Sequence, residues 1–228
     1  MSATPSRRRP QGGPPPLVPA LAYGALLIAS AIVWIGGPQP GTSAASTLSY
    51  AQAHTGQLHA LALLVFGASL PLAIWTATIY RRLRTLGVTA PGAVIGLAGG
   101  ILAAASLALS GLVTWVAADT AQIAGPALAR VLFDLSFAAG AAGFVVPFAL
   151  LIAGAAVPAL ILRLTPAPLA WAGLVIAAVG MLSTLTLVTS ALDPTLPIVR
   201  FGGLIWIVAV SALLPASRHQ LAAVPAAA

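Results

Sequence analysis

Six apolar runs, separated by short stretches that collect most of the charge, set the pattern of this chain. Helices are predicted at about 17–35, 58–80, 92–116, 132–162, 169–192 and 198–214. All but the fourth, which overshoots, are near the length, about 20 residues and in the range 17 to 25, that an α-helix needs to cross a hydrocarbon core. The apolar part of the fourth begins at Phe137, and its head carries Arg130 and Asp134 one turn apart. The sixth is short and has Arg200 in its first turn, so it spans only if that side chain snorkels outward to the headgroups. Period-two alternation is absent, which removes the closed β-barrel, the other architecture that can cross a bilayer. The expected fold is all-α: a polytopic transmembrane bundle of six spans at 17–215. An Arg/Pro-rich tail at 1–16, expected to be disordered, precedes it, and a cytoplasmic tail at 216–228 follows, loose from Leu221.

Composition sharpens this picture. Hydrophobic residues make up 60% of the 228, charged residues only 6%, and the mean hydropathy is +1.04. A soluble domain carries roughly a quarter charged residues, so this chain has too little polar surface for water and is read as lipid-solvated. There is no cysteine, which excludes disulfides, thiolate catalysis and Cys-ligated metal or iron–sulfur centres. The net charge of +7 comes from ten arginines against three aspartates, with no Lys or Glu. The arginines lie between the apolar runs rather than in one patch, which argues against nucleic acid as a partner and for a topology signal.

That signal orients the bundle. With the amino terminus in the cytoplasm, Arg7, Arg8, Arg9, Arg81, Arg82, Arg84, Arg163 and Arg218 fall inside, and Arg130 and Arg200 outside. The reverse orientation violates the positive-inside rule. Both termini are therefore expected in the cytoplasm, the protein in the cytoplasmic membrane, and Asp119, Asp134 and Asp193 toward the outer side. Aromatic belts are expected from Tyr23, Trp75, Tyr80 and Trp171 on the inner side and from Trp34, Trp115 and Trp206 on the outer. Ser6-Arg7-Arg8 resembles a twin-arginine signal, but the Pro-rich spacer and the 19-residue apolar run argue against a cleaved leader. The uncharged segment 36–56 reads as an outer loop with a short helix near its end.

Gly92, Gly96, Gly100, Ala104 and Ala108 recur every four residues in the third span. Such a small-residue face lets another backbone approach closely. Two partners stay open for it: a neighbouring helix of the same bundle, or a second copy in a homo-oligomer joined through Gly92, Gly96 and Gly100. Pro71, Pro147 and Pro158 lie inside predicted spans and each removes an amide donor, which kinks a helix.

The rare polar groups supply the candidate chemistry. Thirty-two residues separate Arg130 from Arg163. As one continuous helix they rise about 50 Å, more than the roughly 40–45 Å of a whole bilayer. Asp134 then lies at headgroup level, and Arg130 and Asp134 read as an exposed i, i+4 ion pair, with a functional pair inside the bundle as the alternative. In the fifth span Ser183, Thr186, Ser190 and Asp193 follow i, i+3, i+7, i+10 spacing, one polar face on an α-helix. The candidate ligand-binding set, lining an outward-facing cavity, is His59, Asp134, Ser183, Thr186, Ser190, Asp193 and Arg200. The competing reading of the stripe is that its hydroxyls bond back to their own helix.

No catalytic residue, metal site or cofactor is read from the sequence. His59 and His219 lie at opposite faces and cannot grip one haem, and His54 and His59 are about 140° apart on a helix. HExxH, P-loop and GxSxG motifs are absent. The functional expectation is a non-enzymatic membrane protein that binds a lipid, small ligand or protein partner. The alternatives are a transporter or channel subunit and, after that, an intramembrane enzyme on a lipid-linked substrate. Asp134-Leu135-Ser136, Trp171-Ala172-Gly173-Leu174 and Ile205-Trp206-Ile207-Val208 together resemble a group of uncharacterised, mainly actinobacterial, multi-pass membrane proteins. The resemblance covers about the last 100 residues. It implies a stand-alone six-helix protein and no site residues.

Overall fold

The computed structural model describes residues 15–215. Arg7, Arg8, Arg9, Arg218, His219 and the tail at 216–228 lie outside the described residues. Eight α-helices and no strand occur among those described. They are α1 (Leu17–Val33), α2 (Ala44–Ala53), α3 (Thr55–Thr85), α4 (Gly92–Asp119), α5 (Pro126–Gly140), α6 (Ala142–Ile161), α7 (Ala167–Leu182) and α8 (Thr195–Leu213). Two 3-10 turns, Ser183–Leu187 and Ser190–Leu192, connect α7 to α8. Five segments are long and apolar enough to cross a membrane: Thr55–Thr85, Gly92–Asp119, Pro126–Ile161, Ala167–Leu187 and Ser190–Leu213. Leu17–Val33 is a shorter apolar helix of 17 residues. This is the build of a multi-pass membrane protein. The short helix expected before the second span is α2.

Prolines start the helices and glycine helps stop them. Pro16, Pro91, Pro166 and Pro194 stand at the N-caps of α1, α4, α7 and α8, and Pro126 is the first residue of α5. Their fixed φ suits a first turn that needs no amide donor. Gly87, at φ +95°, ends α3 in a Schellman cap: its amide donates to Arg84 and the Val88 amide to the Leu83 carbonyl, 3.1 and 3.0 Å. Arg163 ends α6 the same way at φ +51°, with Leu164 donating to Ala159 at 2.9 Å.

The centre is α4 packed between α3 and α6. Here the glycine face is consumed within the chain. A Cβ on Gly99 would lie 2.6 Å from the Pro147 carbonyl oxygen of α6, and one on Gly154 of α6 would collide with Gly92 and Gly96. Gly100 faces Thr76 of α3. Gly96, Gly99 and Gly100 are buried in these crossings. Trp75 and Tyr23 are fully buried and Trp206 nearly so. Trp75 Nε1 donates to Ser211 Oγ at 2.7 Å and Trp206 Nε1 to the Leu169 carbonyl at 2.8 Å. These three form core, not interfacial belts, and Trp206 lies past the middle of α8, away from the end where the belt reading puts it. Trp115 and Trp171 are exposed.

The fourth span is not one continuous helix. It breaks at Ala141, at φ −91° and ψ −101°, into α5 and α6. Gly140 and Gly143 flank the break, and the Ala138 carbonyl comes within 3.0 Å of where a Gly143 Cβ would stand. Pro147 offers no amide to the Gly143 carbonyl, so this turn is weakened from both sides. The fifth span also changes character, tightening to 3-10 at Ser183 and interrupted at Val188 and Thr189.

Candidate functional site

At the end of the bundle that holds α2, the helices do not close. Trp34 at the end of α1 packs against Phe133 of α5, ring centroids 6.3 Å apart. The caps of α2, α3 and α4 form a small apolar cluster around Ala51, Leu58 and Ala118. Beneath this cover lies a cavity of about 600 Å³, with walls from α1, α3, α4, α5 and α8. Its surface is mainly apolar, and four charged side chains line it: Arg130, Asp134, Asp193 and Arg200.

Arg130 and Asp134 form the ion pair expected from their spacing, Nε to Oδ2 at 2.6 Å, and the two side chains are 26% and 50% exposed. A second Arg130 nitrogen donates to the Thr42 carbonyl, which ties α5 to the loop before α2. A hydroxyl cluster joins α4 to α5 in the cavity wall. Ser110 Oγ donates to the Ser136 carbonyl at 2.9 Å, and Thr114 Oγ1 lies 2.7 Å from Ser136 Oγ.

Arg200 does not snorkel. Its guanidinium reaches across from α8, donates to the Gly140 carbonyl and sits 5.3 Å from the centroid of the Phe144 ring. The reason is the break at Ala141. The Phe144 amide, whose regular helical partner would be the Gly140 carbonyl, turns to the Ala141 carbonyl at 3.1 Å, so Gly140's carbonyl is released from the helix and takes the arginine instead. Among the described residues Arg200 makes no ion pair. The Tyr23 hydroxyl of α1 is buried with no hydrogen-bond partner among the described residues.

The chain matches no family model, no curated protein and no solved structure.

Of the candidate set, Asp134, Asp193 and Arg200 line the cavity and His59, Ser183, Thr186 and Ser190 do not. His59 is half-buried in the first turn of α3. The Ser/Thr stripe does not form one face, because α-helical spacing ends at Ser183. Ser183 Oγ bonds the Val179 carbonyl at 3.0 Å and Thr195 Oγ1 at 2.7 Å. Thr186 Oγ1 donates to the Ser183 carbonyl at 2.8 Å, and Ser190 is exposed. These hydroxyls cap irregular backbone. Arg130, Ser110, Thr114 and Ser136 were outside the set and line the cavity. Arg130 carried a signal, its spacing to Asp134. The serines and threonine carried none, since they are common in membrane helices and here meet only through the α4–α5 crossing.

Proposed function

We propose that the protein is a six-span integral membrane protein of the cytoplasmic membrane, both termini inside, that binds a ligand without catalysis in an outward-facing cavity. The spans are α1, α3, α4, α6, α7 and α8, with α2 and α5 covering the outer end. The observation that carries the reading is the convergence of Arg130, Asp134, Asp193 and Arg200 on one otherwise apolar cavity of about 600 Å³. Mostly apolar walls with a few convergent polar groups are the usual make-up of a small-molecule site. Arg81, Arg82, Arg84 and Arg163 gather at the opposite end, as inward loops require.

Two measurements test this. Single-cysteine labelling in intact cells with an impermeant maleimide modifies Ser46→Cys and spares Thr85→Cys; the opposite pattern inverts the topology. Native mass spectrometry of gently purified protein finds a bound species on the wild type and less of it on Val65→Phe, which narrows the cavity. Bare protein in both cases ends the binding reading.

A transporter or channel subunit is the second reading, favoured by the interruption between α5 and α6, since broken helices supply substrate sites in secondary transporters. Flux of the identified ligand across reconstituted vesicles selects it; binding without flux selects the first.

A further inference from the structure

Three of the four charges at the cavity do not explain the fourth. Arg130 is neutralised by Asp134 at 2.6 Å and held by Thr42. Arg200 has a carbonyl and a ring face, but no carboxylate within ion-pair distance among the described residues. A guanidinium carries five N–H donors and keeps its charge. Asp193 lines the same cavity from the turn that precedes α8, and it makes no ion pair with Arg200. Arg200 therefore brings to the cavity wall a positive charge with no carboxylate partner among the described residues.

The cavity also has an open side. α5 packs on α4 and α2, while no comparable packing joins it to α8. The bond from Arg200 to the Gly140 carbonyl is the floor of the gap between them. Phe137 of α5 and Phe201 of α8 both line the cavity, yet are 42% and 37% exposed. Two apolar rings that face the cavity and the surroundings at once mark an opening toward lipid. Arg200 lies about 8 Å along α8 from its first residue, a depth near the bilayer interface when α8 spans.

We infer that the cavity takes the head of an anionic lipid from the outer leaflet, its phosphate on Arg200 and its acyl chains leaving between Phe137 and Phe201. This rests on the outward-facing binding reading above and adds the ligand class and the route. The cavity volume suits a headgroup and the first carbons of the chains, not a whole two-chain lipid. The gap supplies the remaining room, and the guanidinium supplies charge-assisted, bidentate donors for the phosphate.

The test uses the full chain, delipidated in mild detergent, with phosphatidylglycerol or phosphatidylcholine of identical chains added before native mass spectrometry. The wild type is expected to retain phosphatidylglycerol about tenfold more tightly, the worth of one charge-assisted bond. Arg200→Gln removes most of that preference, and Asp193→Asn increases it. Should Arg200→Gln fail to fold, competition on the wild type decides. Excess phosphatidylglycerol displaces a bound fluorescent analogue, and 10-fold more inorganic phosphate does not. Equal retention of the two lipids overturns the inference while a bound species still upholds the binding reading. Displacement by inorganic phosphate alone makes the site one for a soluble anion and also overturns it. If neither lipid binds and no species is retained, the binding reading itself falls.

Discussion

The middle of this bundle and its α2 end are built from the same apolar vocabulary and packed in opposite ways. Through the middle, α4 and α6 close until backbone meets backbone, with Gly99 under the Pro147 carbonyl and Gly154 against Gly96. At the α2 end, α5 turns away at Ala141, and the space it leaves holds two arginines and two aspartates. Lipid is as apolar as leucine, so hydrophobicity does not drive these helices together. What separates the two regions is shape: small residues facing each other on two helices in one, an interrupted helix in the other. Polar groups gather where the packing stops, because there they find released carbonyls and one another.

The largest test of that contrast adds bulk to each region in turn. Gly154→Leu drives a side chain into the α4 backbone and is expected to cost about 3 kcal/mol or more. Val65→Phe adds bulk beside the cavity and is expected to be neutral or stabilising by up to about 1 kcal/mol. Thermal unfolding in one detergent, followed by near-ultraviolet dichroism of the tryptophans, measures both. Equal destabilisation by the two would erase the distinction between a dry crossing and a hollow end. A smaller effect is expected at Arg163, a side chain held at positive φ. Arg163→Gly relieves that backbone and raises stability by about 0.5–1 kcal/mol in the same assay. A loss would mean that the guanidinium does more at the α6 terminus than its backbone costs. The smallest effect belongs to Asp134→Asn. Its ion pair is half exposed, so the change stays below about 0.5 kcal/mol and fades in high salt. A larger, salt-independent loss would place the pair inside the packed region.

Much of the architecture was legible in the sequence because membranes make crude demands. Length and the exclusion of charge reveal the long apolar helices, and prolines mark where several of them begin. The four-residue glycine spacing likewise announces a close crossing, though not which helix comes to it. What stayed hidden depends on where backbone regularity fails. Ala138 to Gly143 reads Ala-Ala-Gly-Ala-Ala-Gly, a run with neither charge nor proline, and the helix breaks in it. That break frees the Gly140 carbonyl, and the carbonyl draws Arg200 across to α5. The stripe from Ser183 to Asp193 was laid out on a 3.6-residue turn that the chain abandons at Ser183. Trp75 and Trp206 look interfacial in a linear sequence, but their indole N–H groups have partners, Ser211 and Leu169, that only the fold supplies. Periodicity was sound wherever the helix was; the site sits where it was not.

The break at Ala141 has a mechanical consequence. α5 runs into α6 through one irregular peptide unit at Ala141, and its polar ties to the rest are the hydroxyls of Ser110, Thr114 and Ser136 and the bond from Arg130 to Thr42. None of the glycine crossings of α4 and α6 involves them. Weakening those ties, as in Ser136→Ala, is expected to change how fast the hollow fills and empties more than it changes the melting temperature.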